Sequence, residues 1–323
     1  MLANASSSAS STEWPSHVTL IEVGPRDGFQ AEPTLIPTAR KLEIIRGLMK
    51  AGLTQLQVAS FVHPQRVPQM ADAEAICQAI LPAPVGTEFS GLVLNMRGVE
   101  RAIAAGLPCI DVSVSPDNAQ SQANSGMGVA EARAEACEMI TLAITARCTV
   151  RAGVQVVFGY RAPGDVPLVD VLALVEQLAM HGAGSISLAD STGMADPRTV
   201  ERTVAAVRDV VGTLPIVLHL HDTRGMGLAN VVAGVRQGVT RFDTSLGGMG
   251  GCPFIAGATG NIPTDDTAHM LEQMGIHTGV DHRAVSALAA SLALELGRRF
   301  DGKMHTLRAA PDPAVAATGG TGA

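Results

Sequence analysis

Eight short β-branched runs, each followed by a stretch rich in Ala, Leu, Glu and Arg, predict an α/β fold. Strands that alternate with helices pair in parallel through crossovers. Eight such units are the number that closes a barrel. The expected architecture is therefore a (β/α)8 TIM barrel with an additional C-terminal helical segment, in preference to a doubly wound sheet.

The first run is VTLIEV (18–23), with a helix near 38–51, and the second is LQVAS (56–60), with a helix near 70–80. FSGLVL (89–94) precedes a helix near 97–105, and CIDVSVS (109–115) precedes a long one near 129–146. VRAGVQVVF (150–158) leads to 166–181, where apolar positions 168, 171, 172, 175 and 179 form one stripe at helical period. SISLA (185–189) leads to 197–211, opened by Asp196 as cap and Pro197 in the first turn. PIVLHLH (215–221) leads to 226–237, and RFDTSL (241–246) to 264–274. A last helix near 283–299 is expected to cover the barrel base or to join subunits. Glycines such as Gly52 and Gly182 stand where these helices should stop. Residues 1–15 and 304–323 read as loose tails around one domain, 16–303.

The chain has 323 residues, which suggests two domains at about 150 residues each, but barrels of roughly 250 residues fold as one unit. Aromatic residues make up 3%, too few for a base-stacking or sugar-stacking surface, and they fit barrel layers filled with Val, Ile, Leu and Ala. A net charge of −7 supplies no basic footprint, so no nucleic-acid partner is expected. The N-terminus lacks the basic and apolar regions of a secretory signal, and no apolar run is long enough for a membrane span. The cysteines at 77, 109, 137, 148 and 252 have no CxxC spacing, which fits reduced thiols and a cytoplasmic location. A homodimer is the default assembly.

Barrel enzymes place their chemistry at the C-terminal ends of the strands. After strand 1, EVGPRDGFQ puts Arg26 and Asp27 there. Arg26 suits a carboxylate or an oxyanion and Asp27 a hard divalent metal, while a surface ion pair on a turn is the plain alternative. In LHLHDT, His219 and His221 lie two apart and share one strand face, which suits a divalent metal with open positions. The loop LGGMGGCPFIAGATGN surrounds Cys252 with small residues, so this thiol could act as acid, base or nucleophile. The other four cysteines read as small buried thiols. Asn261 offers an amide oxygen to a metal, and Asp190 in LADSTG is either a mouth residue or a helix cap.

Together EVGPRDGFQ, SFVHPQRVPQM, SLADSTG, HLHDTRGMGLAN and GGMGGCPFIAGATGN resemble the hydroxymethylglutaryl-CoA lyase family, metal-dependent barrel lyases with an Arg-Asp motif, over residues 17–280. The resemblance implies Mg²⁺ or Mn²⁺ held by Asp27, His219, His221 and Asn261. It implies Arg26 at the developing enolate, Cys252 managing a proton and Asp190 at the hydroxyl end of the substrate. Gln30, Gln57, Asn95 and Asn124 would face an acyl-CoA substrate. The implied reaction is a retro-Claisen cleavage of a 3-hydroxy-3-methylglutaryl-CoA-like thioester to acetyl-CoA and a keto acid such as acetoacetate.

Three stretches depart from the family pattern. The family carries a glutamate on strand 2 where this chain has Gln57, which removes one negative charge and weakens electrostatic support for the Arg-metal cluster. Tyr160 and Arg161 replace a Gly-Cys-Pro after strand 5, and SPDNAQSQANSGMG keeps Asn124 in altered surroundings. These departures point to a related substrate such as citramalyl-CoA, or to a barrel impaired at residue 57. A third reading is an aldolase acting on a free keto acid without CoA.

Overall fold

A computed structural model describes residues 14–251 and 259–307. Eight parallel strands close in sequence order into a barrel: β1 (Thr19–Glu22), β2 (Gln55–Ser60), β3 (Glu88–Val93), β4 (Cys109–Val114), β5 (Thr149–Val154), β6 (Ser185–Asp190), β7 (Ile216–Leu220) and β8 (Arg241–Thr244). Closure runs through β1 and β8, from Thr19 opposite Arg241 to Glu22 opposite Thr244. The helices follow the predicted order with α4 added: α1 (Thr38–Lys50), α2 (Ala73–Ile80), α3 (Met96–Ala104), α4 (Asn118–Ser125), α5 (Val129–Thr145), α6 (Leu168–Met180), α7 (Pro197–Val211), α8 (Gly227–Arg236), α9 (Thr264–Gln273) and α10 (His282–Leu296).

Local chemistry accounts for these boundaries. The Asp196 carboxylate accepts from the amides of Arg198 (2.9 Å) and Thr199 (3.1 Å) and starts α7. Gly52 and Gly182 both leave their helices at φ +96°, a left-handed conformation that glycine adopts without steric cost. In α6 the buried stripe is Val171, Leu174, Val175 and Leu178, rotated slightly from the expected one because Leu174 and Leu178 also face inward. Helix α4 lies in a stretch expected to be loop. Its residues are polar and carry no apolar stripe, but Asp117 caps it by accepting from the Gln120 amide at 2.7 Å.

The barrel interior departs from the expected apolar layers. Strand residues such as Ile110, Val112, Ile186 and Leu218 join the main core with the buried faces of the helices. The alternate positions point inward, and there only Ile21, Val23 and Val217 form an apolar cluster. Most of the remaining axis is polar, with Leu92 and Ala189 among the apolar residues that line the mouth cavity. One cavity of about 180 Å³ opens at the C-terminal mouth, and a second of about 160 Å³ lies at the opposite end. Asp111 and Arg151 line both and separate them.

Helix α10 does not cover the base. It begins beside the end of α1, where the Asp281 amide donates to Ala51 at 2.8 Å, and climbs the wall until Arg40 of α1 pairs with Glu295 at 2.8 Å. The chain then crosses toward the mouth. Arg298 pairs with the buried Glu32, and the Gly302 amide donates to Gly247 at 2.9 Å. Residues 304–307, expected to begin a loose tail, instead include a turn (Met304–Thr306) held where the Lys303 and Met304 amides donate to Asp266.

Glu22, at the end of β1, is fully buried. Its carboxylate accepts from the amides of Gly24 (2.7 Å) and Leu246 (2.9 Å) and from the Thr264 hydroxyl (2.7 Å), joining three segments under the mouth. Burial pushes its pKa from the usual 4.5 up to about 7, against those three donors. The folded state therefore holds this proton more tightly than the unfolded chain. Its contribution to stability is fully present below pH 4.5 and is lost as pH rises through about 7, a swing of about 3 kcal/mol. Glu22→Gln is expected to fold and to flatten thermal stability across that window. A denaturation series that keeps the native pH slope would refute this.

Candidate active site

The site is assembled at the C-terminal mouth from the ends of several strands. After β1 the chain makes one π-helical turn (Gly24–Gly28), closed by the Phe29 amide donating to Gly24 and the Gly28 amide to Val23 at 3.5 Å. Such turns recur at functional sites because they re-aim side chains. Here the turn carries Arg26 and Asp27 into the cavity. Strand β7 delivers His219 and its continuation His221 to the same cavity. The Nε2 atoms of the two rings stand 3.2 Å apart. One ligand atom from each of Asp27, His219 and His221 lies within 4.8 Å of the others.

The donor chemistry fits a divalent cation. Burial would raise the Asp27 carboxyl, but Arg26, His219 and His221 hold it down to about 2, so it is ionised. Burial, with the neighbouring His219, lowers His221 to about 3 and keeps it neutral. Asp243 lies 3.0 Å from His219 Nδ1 and is held below the usual range by Arg151 despite its burial. An ionised Asp243 keeps the His219 proton on Nδ1, which frees Nε2 for a metal. Asn261 donates to Asp27 at 2.6 Å and to the Met249 carbonyl at 3.2 Å, while its buried Oδ1 has no partner. That orphaned amide oxygen suits a fourth ligand. At Gly250, φ is +126°, and a side-chain carbon there would fall 2.6 Å from the Asn261 amide, so the glycine lets the loop press against the ligand set.

Beneath these ligands lies a polar circuit that sequence reading missed. Arg26 donates to both Asp27 and Gln57, and Gln57 donates to Asp111. Arg151 joins Asp111 (2.6 Å) to Asp243 (2.5 Å), and Asp243 reaches back to His219. Burial opposes the Arg151 charge, but Asp111 and Asp243 hold its pKa above the ordinary value. The signal was present in the sequence. A charge in the middle of each of CIDVSV, VRAGV and RFDT requires a buried partner, because an unpaired charge in a barrel strand is prohibitively costly.

The other expected residues divide. Gln30, Gln57 and Asn124 line the cavity, Asn124 from α4. Asn95 does not. It is exposed, and its side chain caps α3 by accepting from Gly98 at 2.9 Å. Asp190 also stands outside the cavity lining, one residue out of phase with Ser187, Ala189 and Ser191. Its buried carboxylate accepts from Met194 (2.7 Å) and Ala195 (3.1 Å), which makes it a support of the turn into α7. Cys252 lies outside the described residues. Cys77, Cys109 and Cys137 are buried and Cys148 is half-buried, in keeping with inert thiols. In the altered loop after β5, Asp165 accepts from the amides of Tyr160, Arg161 and Ala162. Next to it Gln155 links Ser113 (2.5 Å) and Ser191 (2.7 Å) on the cavity wall.

A closed eight-stranded barrel with a His-His-Asp-Asn cluster and an arginine at its C-terminal mouth defines a metal-dependent barrel enzyme. The family model described as HMGL-like matches residues 17–292. The chain is 37% identical to a hydroxymethylglutaryl-CoA lyase of Bacillus subtilis, covering 88% of this chain and 95% of that protein. It is 36% identical to an (R)-citramalyl-CoA lyase of Chloroflexus aurantiacus, over 87% and 92%. The crystal structure of the Bacillus subtilis HMG-CoA lyase superposes with a TM-score of 0.86 at 35% identity, over 90% of this chain and 98% of that one. An Acinetobacter baumannii HMG-CoA lyase in complex with coenzyme A and 3-methylmalate gives 0.84 at 34% identity, over 92% and 98%. The chain belongs to the HMGL-like family of carbon–carbon lyases.

Proposed function

We propose that this chain is a metal-dependent acyl-CoA lyase that cleaves 3-hydroxy-3-methylglutaryl-CoA to acetyl-CoA and acetoacetate. The observation that carries the reading is the convergence of Asp27, His219 and His221 within 4.8 Å, beside Arg26 in one cavity. Asp27, His219, His221 and Asn261 would hold Mg²⁺ or Mn²⁺, which when bound supplies Lewis acidity to substrate oxygens. Arg26 is the chain's own electrophile. Its charge is permanent, and its bonds to Asp27 and Gln57 hold the guanidinium ready for a developing enolate oxygen. Such preorganised donors stabilise charge as it appears without reorganising. Cys252, in the glycine-rich sequence GGMGGCPFIAGATGN, is assigned the proton for the enolate carbon. Cysteines without paired spacing support a reducing cytoplasm, and a homodimer is the assembly we assign by symmetry. Among the described residues no helix is long and apolar enough to cross a membrane.

The similarity to the citramalyl-CoA lyase, together with this chain's own Gln57 and Tyr160-Arg161, supports a second reading in which the acyl group differs. Purified protein with Mg²⁺ or Mn²⁺ is expected to release acetoacetate from hydroxymethylglutaryl-CoA. Cleavage of citramalyl-CoA alone would keep the class and change the substrate. No turnover of any 3-hydroxyacyl-CoA would overturn the reading.

A further inference from the structure

The resemblance to the lyase family implies a carboxylate at residue 57, and this chain has an amide there. The structure nevertheless supplies a carboxylate one side chain further along the same circuit. We propose that Asp111 carries the charge Gln57 lacks and positions Arg26 through the Gln57 amide, so that residues 57 and 111 act as one unit.

The argument is one of donor and acceptor inventory. Gln57 is 2% exposed and Asp111 4%. The Gln57 Oε1 accepts from Arg26 Nε, and its Nε2 donates to Asp111 Oδ2. An amide has one accepting end and one donating end, whereas an ionised carboxylate only accepts. A carboxylate at 57 would meet Arg26 correctly but would set an oxygen against Asp111. Two buried carboxylates at hydrogen-bond range cannot both stay ionised. Asp111 is meanwhile fixed from every side, since Oδ2 also accepts from Ser90 at 2.7 Å and Oδ1 from Arg151 at 2.6 Å. Asp111, Asp243 and Arg151 together carry two negative charges and one positive. The excess negative charge faces Arg26 through Gln57 at one end and His219 through Asp243 at the other. The circuit around Gln57 therefore carries a negative charge of its own, on Asp111 of β4. Asp111 acts through another side chain and is a positioning residue.

The proposal rests on the lyase reading, and its test separates the two. Gln57→Glu, Asp111→Asn and the double exchange are compared with native protein, loaded with Mn²⁺, for kcat and KM on hydroxymethylglutaryl-CoA or citramalyl-CoA, whichever native protein cleaves. Mn²⁺ affinity by calorimetry and thermal unfolding are measured on the same four proteins. Each single change is expected to lower kcat by at least about tenfold with KM and Mn²⁺ affinity within about threefold, and the double to return to within about threefold of native, the non-additivity of coupled neighbours. Native or higher kcat in Gln57→Glu alone overturns the proposal. So does a double variant whose loss is the product of the two single losses. If a single variant fails to fold, a folded and active double supports the pairing and an unfolded double overturns it. Failure of the lyase reading would show instead as no turnover by native protein. The melting temperatures of the four proteins then still give the cycle, with recovery in the double supporting the pairing and additive losses refuting it.

Discussion

Replacing His219 with alanine is expected to abolish measurable Mn²⁺ binding while leaving the barrel folded. The effect should exceed the 10–100-fold typical of losing a supporting partner, because a ligand itself is removed. His219 Nε2 meets His221 Nε2 at 3.2 Å, where a metal would take it, and its Nδ1 meets Asp243 at 3.0 Å. Loss of the ring does not strand Asp243, which keeps its 2.5 Å ion pair with Arg151. The structural cost is then two side-chain hydrogen bonds, about 2 kcal/mol. Calorimetric titration with Mn²⁺ and a thermal melt measure the two halves separately. Unchanged affinity would remove His219 from the ligand set, and loss of the fold would make it structural.

Arg26→Lys tests the second large effect. Lysine keeps the charge, but it is a flexible point donor where arginine is a planar fork. Arg26 holds Asp27 with Nη1 and Gln57 with Nε at the same time. An ammonium at this position cannot span both partners and also face the cavity. Removal of one preorganised donor to an oxyanion commonly costs about 100–1000-fold in kcat, and a loss in that range is expected here. Asp27 should remain ionised, since burial is still opposed by a cation and by the hydrogen bond from Asn261. Mn²⁺ affinity should therefore change far less than kcat. Steady-state kinetics at saturating Mn²⁺ decide the matter, and equal kcat in the two proteins would reduce Arg26 to a structural partner of Asp27.

Both predictions concern residues that stood out in the sequence. Arg26 and Asp27 followed a strand, and His219 and His221 shared a strand face by simple alternation. The barrel was equally legible, because its helices carry stripes at their own period and its strands are bounded by turn residues. Residue type alone did not place Asn95 and Asp190, which lie outside the cavity lining. Short polar side chains at strand ends serve the mouth or the backbone of the next turn equally well, and only phase and proximity separate the two uses. Asn95 serves the α3 amides and Asp190 those of residues 194 and 195.

The polar axis shows what composition hides. A chain with 46% hydrophobic residues and few aromatics suggested apolar layers inside the barrel. Its apolar strand residues mostly pack outward against the helices, and the inward positions hold Gln57, Asp111, Arg151 and Asp243. Period-two alternation says that two faces exist. It cannot say which face is the inside of a closed sheet when charges there neutralise one another.

The sequence by itself determined the eight strand–helix units, the strand ends that carry Arg26, Asp27, His219 and His221, and the absence of a glutamate at residue 57. Those are properties of local order, period and residue type. Tertiary structure alone decided that Asp111, on a different strand and 54 positions away, completes the link from Gln57, and that Arg151 ties it to Asp243 and His219. The physical reason is closure. Rolling eight strands into a barrel brings the middles of β2, β4, β5, β7 and β8 to one axis, where charges far apart along the chain have only each other for partners.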